Sequence, residues 1–411
     1  MSFSIKGKYA EAMVYTDLVE SEAMKQVHNM LNQPITENTK VAMMPDIHAG
    51  KGATIGTTIK FQGENVEDWK ISPNVVGVDL GCGIAMIPLK EEEVDLDLLD
   101  KVVSKWVPAG HSVNETVTQK NRDFVEQSVL NKLKISLDDK VQARIIASLG
   151  TLGGGNHYIE LGRDETGLLW LSVHSGSRNL GVQVAKTYQE KAEKYLESLY
   201  LGDTKETIAE LVQQGRQQEI QEELQKRKEE VKGLQKDLAF LSPEDIQDYL
   251  HDSKLAQEYA AKNRSAMLEE IISRMGLTKL SFSFDSVHNY VDVEQKIIRK
   301  GATSARSGEL LVIPLNMRDG SLICVGKGSE AWNFSAPHGA GRVLSRSAAR
   351  KELSLEEYQK QMEGVHTSSV GSSTIDEAPN AYKPKEEILQ NIKETAIVVR
   401  TVKPIWNFKA H

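Results

Sequence analysis

The 411 residues are 40% hydrophobic and 26% charged, an ordinary globular composition at a length that asks for one large domain or two. A net charge of −8 excludes a protein that coats nucleic acid through a global basic field, but not one that grips a few phosphates locally. The two cysteines, Cys82 and Cys324, exclude a disulfide framework of any size. No run approaches the roughly 18 uninterrupted apolar residues of a membrane span, and residues 1–6 hold no apolar signal core, so a cytoplasmic protein is expected.

Residues 1–90 read as α/β or β-rich structure with tight turns. Val41–Met44 and Val75–Val78 are short apolar runs that stop at Pro45 and Asp79, the pattern of buried strands ending at functional loops. Residues 113–148 have few breakers and read as more helical. Glycine takes four of the six positions 150–155, which predicts a loop. Leu168–Val173 reads as a strand, followed by the turn His174-Ser175-Gly176-Ser177-Arg178. From 183 to about 275 the composition shifts to Glu, Gln, Lys, Leu and Ala. There Ile220, Leu224, Val231, Leu234 and Leu238 recur at coiled-coil-like steps of 4, 7, 3 and 4. Residues 222–230 add a polar face of mixed sign, which favours a solvated antiparallel helical arm over an RNA-gripping one. Strand texture returns at Leu280–Phe284, Leu310–Ile313 and Ser321–Val325, and Thr367–Thr374 reads as a mobile loop. The expected fold is α+β: a single large mixed α/β domain over residues 1–411, with a β-rich core and an inserted long helical, coiled-coil-like arm at 183–275. Cys324, in an apolar strand, reads as core filler. Cys82, between Gly81 and Gly83, reads as a presented thiolate.

Asp79, Cys82, His157, His174 and His288 lie at the ends of apparent strands, beside glycine, serine or asparagine. Manganese, zinc and iron accept imidazole and carboxylate, and thiolate favours the softer metals. One thiolate among several histidines can bridge two ions, and the spacing is not that of a zinc finger. His338 stands apart in Ala336-Pro337-His338-Gly339-Ala340-Gly341-Arg342. Its glycines let the backbone approach a ligand closely, and Arg342 offers a planar fork to phosphate oxygens. A neutral imidazole there can attack phosphorus and form a phosphoramidate; the lesser alternative, on chemistry alone, is a further metal ligand. Lys51, Lys300, Arg306 and Lys327 are candidate phosphate-binding cations or ordinary turn residues. Asp46 and His48 form either a carboxylate–histidine pair behind the metals or a structural turn.

In chain order these phrases resemble the RtcB-type RNA-splicing ligases over nearly the whole length. The carrying motifs are Pro45-Asp46-Ile47-His48 with Gly50-Lys51-Gly52, Asp79-Leu80-Gly81-Cys82-Gly83, and Gly150–His157. To these add His174–Arg178, His288-Asn289, Lys300–Thr303, Ser335–Arg342 and Ala381-Tyr382-Lys383. The resemblance implies a GTP- and manganese-dependent ligase that joins an RNA 2′,3′-cyclic phosphate or 3′-phosphate end to an RNA 5′-OH end. It makes His338 the nucleophile that accepts GMP. It gives Asp79, Cys82, His157, His174 and His288 to two manganese ions, with Cys82 bridging. It sets GTP against Asn156, His157, Tyr158, Ile159 and Glu160, then His288 and Asn289. Pro314, Leu315, Asn316, Met317 and Ser321 follow, then His338, Gly339, Ala340, Gly341 and Arg342. Tyr382 packs near the base and Lys409 contacts guanine. The expected partners are RNA and GTP, with no membrane, for a monomeric protein.

There are departures. Many members have Pro-Gly-Ser-Met where this chain has Pro314-Leu315-Asn316-Met317, and members usually close with Lys-Gly where this chain has Lys409-Ala410-His411. Both point to a divergent subgroup serving RNA repair rather than tRNA splicing. The rival readings are a metal-dependent cyclic phosphodiesterase without ligation, disfavoured by His338 and Arg342, and a non-enzymatic RNA-binding protein, disfavoured by Cys82 beside Asp79.

Overall fold

The computed structural model describes residues 2–225 and 234–410, without the side chains of 200–206. It holds two large sheets. The first has six strands: β1 (Phe3–Lys6), β2 (Glu11–Val14), β3 (Thr39–His48), β4 (Ile55–Phe61), β9 (Asn289–Asp292) and β10 (Ile297–Lys300). Their order is β1-β2-β3-β4-β10-β9, antiparallel except for the β2/β3 pair. The second has seven: β5 (Gly83–Pro88), β6 (Tyr158–Arg163), β7 (Leu169–Ser175), β8 (Phe284–Val287), β12 (Leu310–Asn316), β13 (Gly320–Gly326) and β15 (Ala396–Lys409). These run antiparallel in the order β12-β13-β15-β6-β7-β5-β8. A two-stranded ribbon, β11 (Ala302–Ser304) with β14 (Ser335–Pro337), completes the mixed α/β architecture.

The chain passes from the first sheet to the second between β4 and β5, and back between β8 and β9. Asp79 and Cys82 lie on the first crossing and His288 on the second, so topology alone carries three candidate ligands to the seam.

The helices Arg178–Gln213 and Pro243–Met275 back this seam. Tyr249 and Tyr259 pack with Val41, Ile59 and Leu180 beside the first sheet. Further along the same helix, Met267 and Ile271 pack with Leu171, Val173 and Trp406 of the second. The 33-residue helix is therefore a wall shared by both cores, and buries far more than a solvated arm would. Of the coiled-coil-like series, Leu234 and Leu238 dock on the first core, Leu238 from a single 3-10 turn at Lys236–Leu238. Val231 and the charged residues Lys226 to Glu230 lie outside the described residues.

Three expectations are corrected. Val75–Val78 is not a strand: Pro73, with its φ preset for a first helical position, opens the short helix Pro73–Val76. The strand placed at Leu280–Phe284 begins only at Phe284; Phe282, ahead of it, is exposed and does not join the sheet. Thr367–Thr374 is pinned, not loose. Ser369 Oγ donates to Lys409 O at 3.2 Å and accepts from Lys409 N at 2.8 Å, and buried Thr374 bonds back to Ser369 O. Cys324 is fully buried among apolar neighbours, as expected.

Candidate active site

Five side chains from separate segments converge at the seam. Gly81, at φ +72°, turns the chain tightly enough to set Asp79 and Cys82 side by side, and a Cβ there would meet Gln257 Cα at 2.7 Å. His157 follows the glycine loop and His174 ends β7. Cys82 Sγ lies 3.4 Å from Nε2 of both histidines, and His174 Nε2 lies 3.3 Å from His288 Nε2. Two ligand triads result, Asp79/Cys82/His157 and Cys82/His174/His288, each with its ligand atoms within 4.8 Å of one another and with Cys82 common to both.

The geometry suits a cation. His157 Nδ1 lies 2.9 Å from Leu152 O and its Nε2 lies 3.0 Å from Asp79 Oδ2. With Nδ1–H on the carbonyl, Nε2 and the carboxylate face each other as two acceptors that a cation, a proton or a metal ion, can join. Burial holds the His174 and His288 imidazoles far below the usual histidine range, leaving them neutral and ready as ligands. Burial, and then the Asp79 carboxylate, push the Cys82 thiol well up, so an incoming cation must displace its proton. The residues fit a divalent metal pair.

His338 adjoins this cluster, its ring centroid 4.8 Å from that of His288. Wholly buried Asp46 accepts three bonds through one oxygen: from His338 Nδ1 at 2.7 Å, His338 N at 3.1 Å and Gly339 N at 3.2 Å. Asp46 thus serves His338, and His48 takes only its main-chain oxygen, at 2.8 Å. The Asp46–His48 pair read from sequence is corrected accordingly. With Nδ1 engaged, Nε2 is the nitrogen left for a ligand.

Beyond His338 opens a cavity of about 370 Å³. Tyr158 and Glu160 of β6, with Asn407 and Lys409 of β15, form one wall. Pro314, Leu315, Asn316, Met317 and Ser321 form another. Asn156, the backbone from His338 to Arg342, and Tyr382 close it.

A model of the family described as tRNA-splicing ligase RtcB matches residues 26–410. The chain belongs to the RtcB family. It is 30% identical to RNA-splicing ligase RtcB of Escherichia coli strain K12 over 94% of each chain. It is 29% identical to RNA-splicing ligase RtcB1 of Escherichia coli strain ATCC 25922, again over 94% of each.

In this RtcB-family chain four of the nucleotide residues named from sequence stand off the cavity wall. His157 and His288 belong to the ligand triads. Asn289 bridges loops, accepting from Gly301 N at 2.8 Å and donating to Asp79 O at 3.3 Å. Ile159, whose side chain alternates away from Tyr158 and Glu160, is buried in the core with Phe408 and Leu171. Asn316 lines the cavity, but its amide is used within its own turn. It donates to Asp319 at 2.8 Å and accepts from Arg318 N at 3.0 Å and Asp319 N at 2.9 Å. The Arg342 fork is likewise spent inside the protein, on Glu377, Leu344 O and Asp376 O.

Three of the other candidate cations have partners within the protein. Lys300 is buried, bonded to the carbonyls of Lys51 and Asn74, and burial lowers it to about 7. Arg306 pairs with Asp292 at 2.8 Å, and Lys327 reaches Lys393 O at 2.7 Å.

Sequence reasoning missed Asn263 and Arg264, on the Pro243–Met275 helix. Arg264 is fully buried, donates to Gly81 O and Ser175 O, both at 2.8 Å, and pairs with Asp285 at 2.5 Å. Asn263 accepts from Gly150 N at 2.7 Å and Thr151 N at 3.1 Å, and donates to Gly176 O at 3.2 Å. Together they clasp all three loops that carry Cys82, His157 and His174. A helix rich in charges hides two more polar residues, so no local signal marked them. Glu377, discussed below, was missed for the same kind of reason.

Proposed function

We propose that the protein is a GTP- and manganese-dependent RNA ligase that joins 2′,3′-cyclic phosphate or 3′-phosphate ends to 5′-OH ends through a histidine–GMP intermediate. The observation that carries this reading is the Asp46–His338 pair, set between a two-metal ligand cluster and a nucleotide-sized cavity. Asp79, Cys82 and His157, with His174 and His288, would hold two manganese ions, which supply charge neutralisation for the phosphates.

His338 Nε2 attacks the α-phosphorus of GTP; an N–P bond forms as the bond to pyrophosphate breaks. Nδ1–H stays on Asp46, whose buried carboxylate offsets the positive charge gained by the ring. An oxygen of the RNA 3′-phosphate then attacks the same phosphorus, the N–P bond breaks, and His338 is restored. The 5′-OH attacks the activated 3′-phosphate and GMP departs, leaving a 3′–5′ phosphodiester. A cyclic end must first be opened by water. Alignment of three reacting groups in one cleft accounts for the rate more than any single acid or base.

The test is incubation with α-labelled GTP and manganese. The wild type is expected to gain an acid-labile label that His338→Ala loses completely. An unlabelled, metal-loaded wild type would return the protein to the phosphodiesterase reading. The departures at Leu315, Asn316 and the C-terminus support service in RNA repair; ligation confined to spliced tRNA halves would refute that assignment.

A further inference from the structure

We propose that Glu377 is the positioning residue of the nucleotide cavity and that, by holding Lys409 apart from Glu160, it sets the preference for guanine over adenine. The inference rests on the GTP reading above.

Four donors converge on this one carboxylate, which is 3% exposed. Oε2 accepts from Lys409 Nζ at 2.5 Å and from Tyr382 OH at 2.6 Å. Oε1 accepts from Arg346 at 2.7 Å and from Arg342 at 3.4 Å. The neighbouring Asp376 takes Arg346 at 2.6 Å and Arg350 at 2.8 Å, and its carbonyl takes Arg342. The turn Ser372–Glu377 that carries both acids is pinned by Thr374. Glu377 therefore has no freedom of its own, and it passes that rigidity to the side chains that meet the base.

Lys409 has a second carboxyl within its field, Glu160, two residues off register on the adjacent strand β6 and also on the cavity wall. Guanine presents the acceptor O6, next to N1–H and an amino group that donate. Adenine presents an amino donor in place of O6. An ammonium on one side and a carboxyl on the other match guanine, and the ammonium repels the adenine amine. The match exists only while Lys409 and Glu160 stay separate. Were they to pair, each would consume the group the other needs for the base. Glu377 is the competing anion that prevents this.

The experiment compares wild type, Glu377→Gln and Glu377→Asp. It measures equilibrium binding of GTP and ATP, the KM and maximal rate of His338 labelling, and melting temperature. Loss of one charged partner is expected to weaken GTP binding about tenfold or more in Glu377→Gln and to collapse the GTP:ATP preference by a similar factor. The maximal labelling rate should change far less, and Glu377→Asp should recover most of the preference. An unchanged preference in Glu377→Gln, or a parallel loss for both nucleotides that Glu377→Asp does not rescue, would overturn the proposal. Guanine-selective binding by a wild type that takes no label would sink the ligase reading while leaving the role of Glu377 measurable. A wild type that binds both nucleotides equally would sink the inference itself.

Discussion

The cluster of candidate metal ligands and the cavity beside it share His338 as a border but are held by different means. Ligands of the cleft are fixed through the main chain. Arg264 and Asn263 bond to backbone atoms of the loops on which the ligands sit, so ligand spacing is set before any side chain rotates. The cavity is held through side chains, with Glu377 and Asp376 gathering Lys409, Tyr382 and three arginines. Metal ligands must meet an ion at fixed distances, and backbone anchoring supplies that stiffness. A base is selected by donor and acceptor pattern, and charged side chains supply that pattern directly.

The largest way to break the contrast lies at the clasp. Arg264→Ala removes two charge-assisted bonds and leaves the carbonyls of Gly81 and Ser175 without that partner, and is expected to cost on the order of 3 kcal/mol of stability. Its manganese affinity should fall about 10- to 100-fold by titration calorimetry, while GTP:ATP selectivity in the remaining bound fraction stays intact. Loss of selectivity in step with metal would show that cleft and cavity are one mechanical unit.

An intermediate effect concerns Glu160, which burial raises to about 8 against the pull of Lys409. At neutral pH it is mostly protonated, whereas a guanine N1–H needs the ionised form. Below that value each unit of rising pH should therefore tighten GTP binding by up to about tenfold, with proton release, and Glu160→Gln should abolish that part of the dependence. A profile identical in the variant would remove Glu160 from base recognition. Glu377 behaves oppositely. Burial pushes it up, but Lys409 and Arg346 outweigh burial and hold it at about 2. It stays ionised across the working range.

Asn316 gives the smallest effect. Its amide closes its own turn, so Asn316→Ala should lower stability by about 1 kcal/mol and leave GTP:ATP preference unchanged. A changed preference would mean that this turn opens toward the base.

Much of this was legible along the chain. The strands β3, β7, β12 and β13 could be read because continuous apolar runs mark buried strands. Asp79, Cys82, His157, His174 and His288, which the structure gathers into two triads, and His338 beside them could be singled out because glycine-rich turns at strand ends have little structural reason to hold imidazole or thiolate. The side chain of Ile159 stands apart from its motif neighbours for a geometric reason: a motif is contiguous, but a strand sends alternate side chains to opposite faces. Val75–Val78 was misread because four apolar residues suit a buried helical turn as well as a strand.

What the sequence by itself determined was the chemistry on offer: which groups can ligate, and which residues line up as a family pattern. The tertiary structure decided partnership. Asp46 meets His338 across 292 positions, Arg264 meets Gly81 across 183, and Lys409 meets Glu377 across 32. Hydrogen bonds and ion pairs act over a few ångströms whatever the separation along the chain. Only the folded chain brings these groups within that range, and no local pattern encodes which buried carboxylate a histidine or a lysine will find.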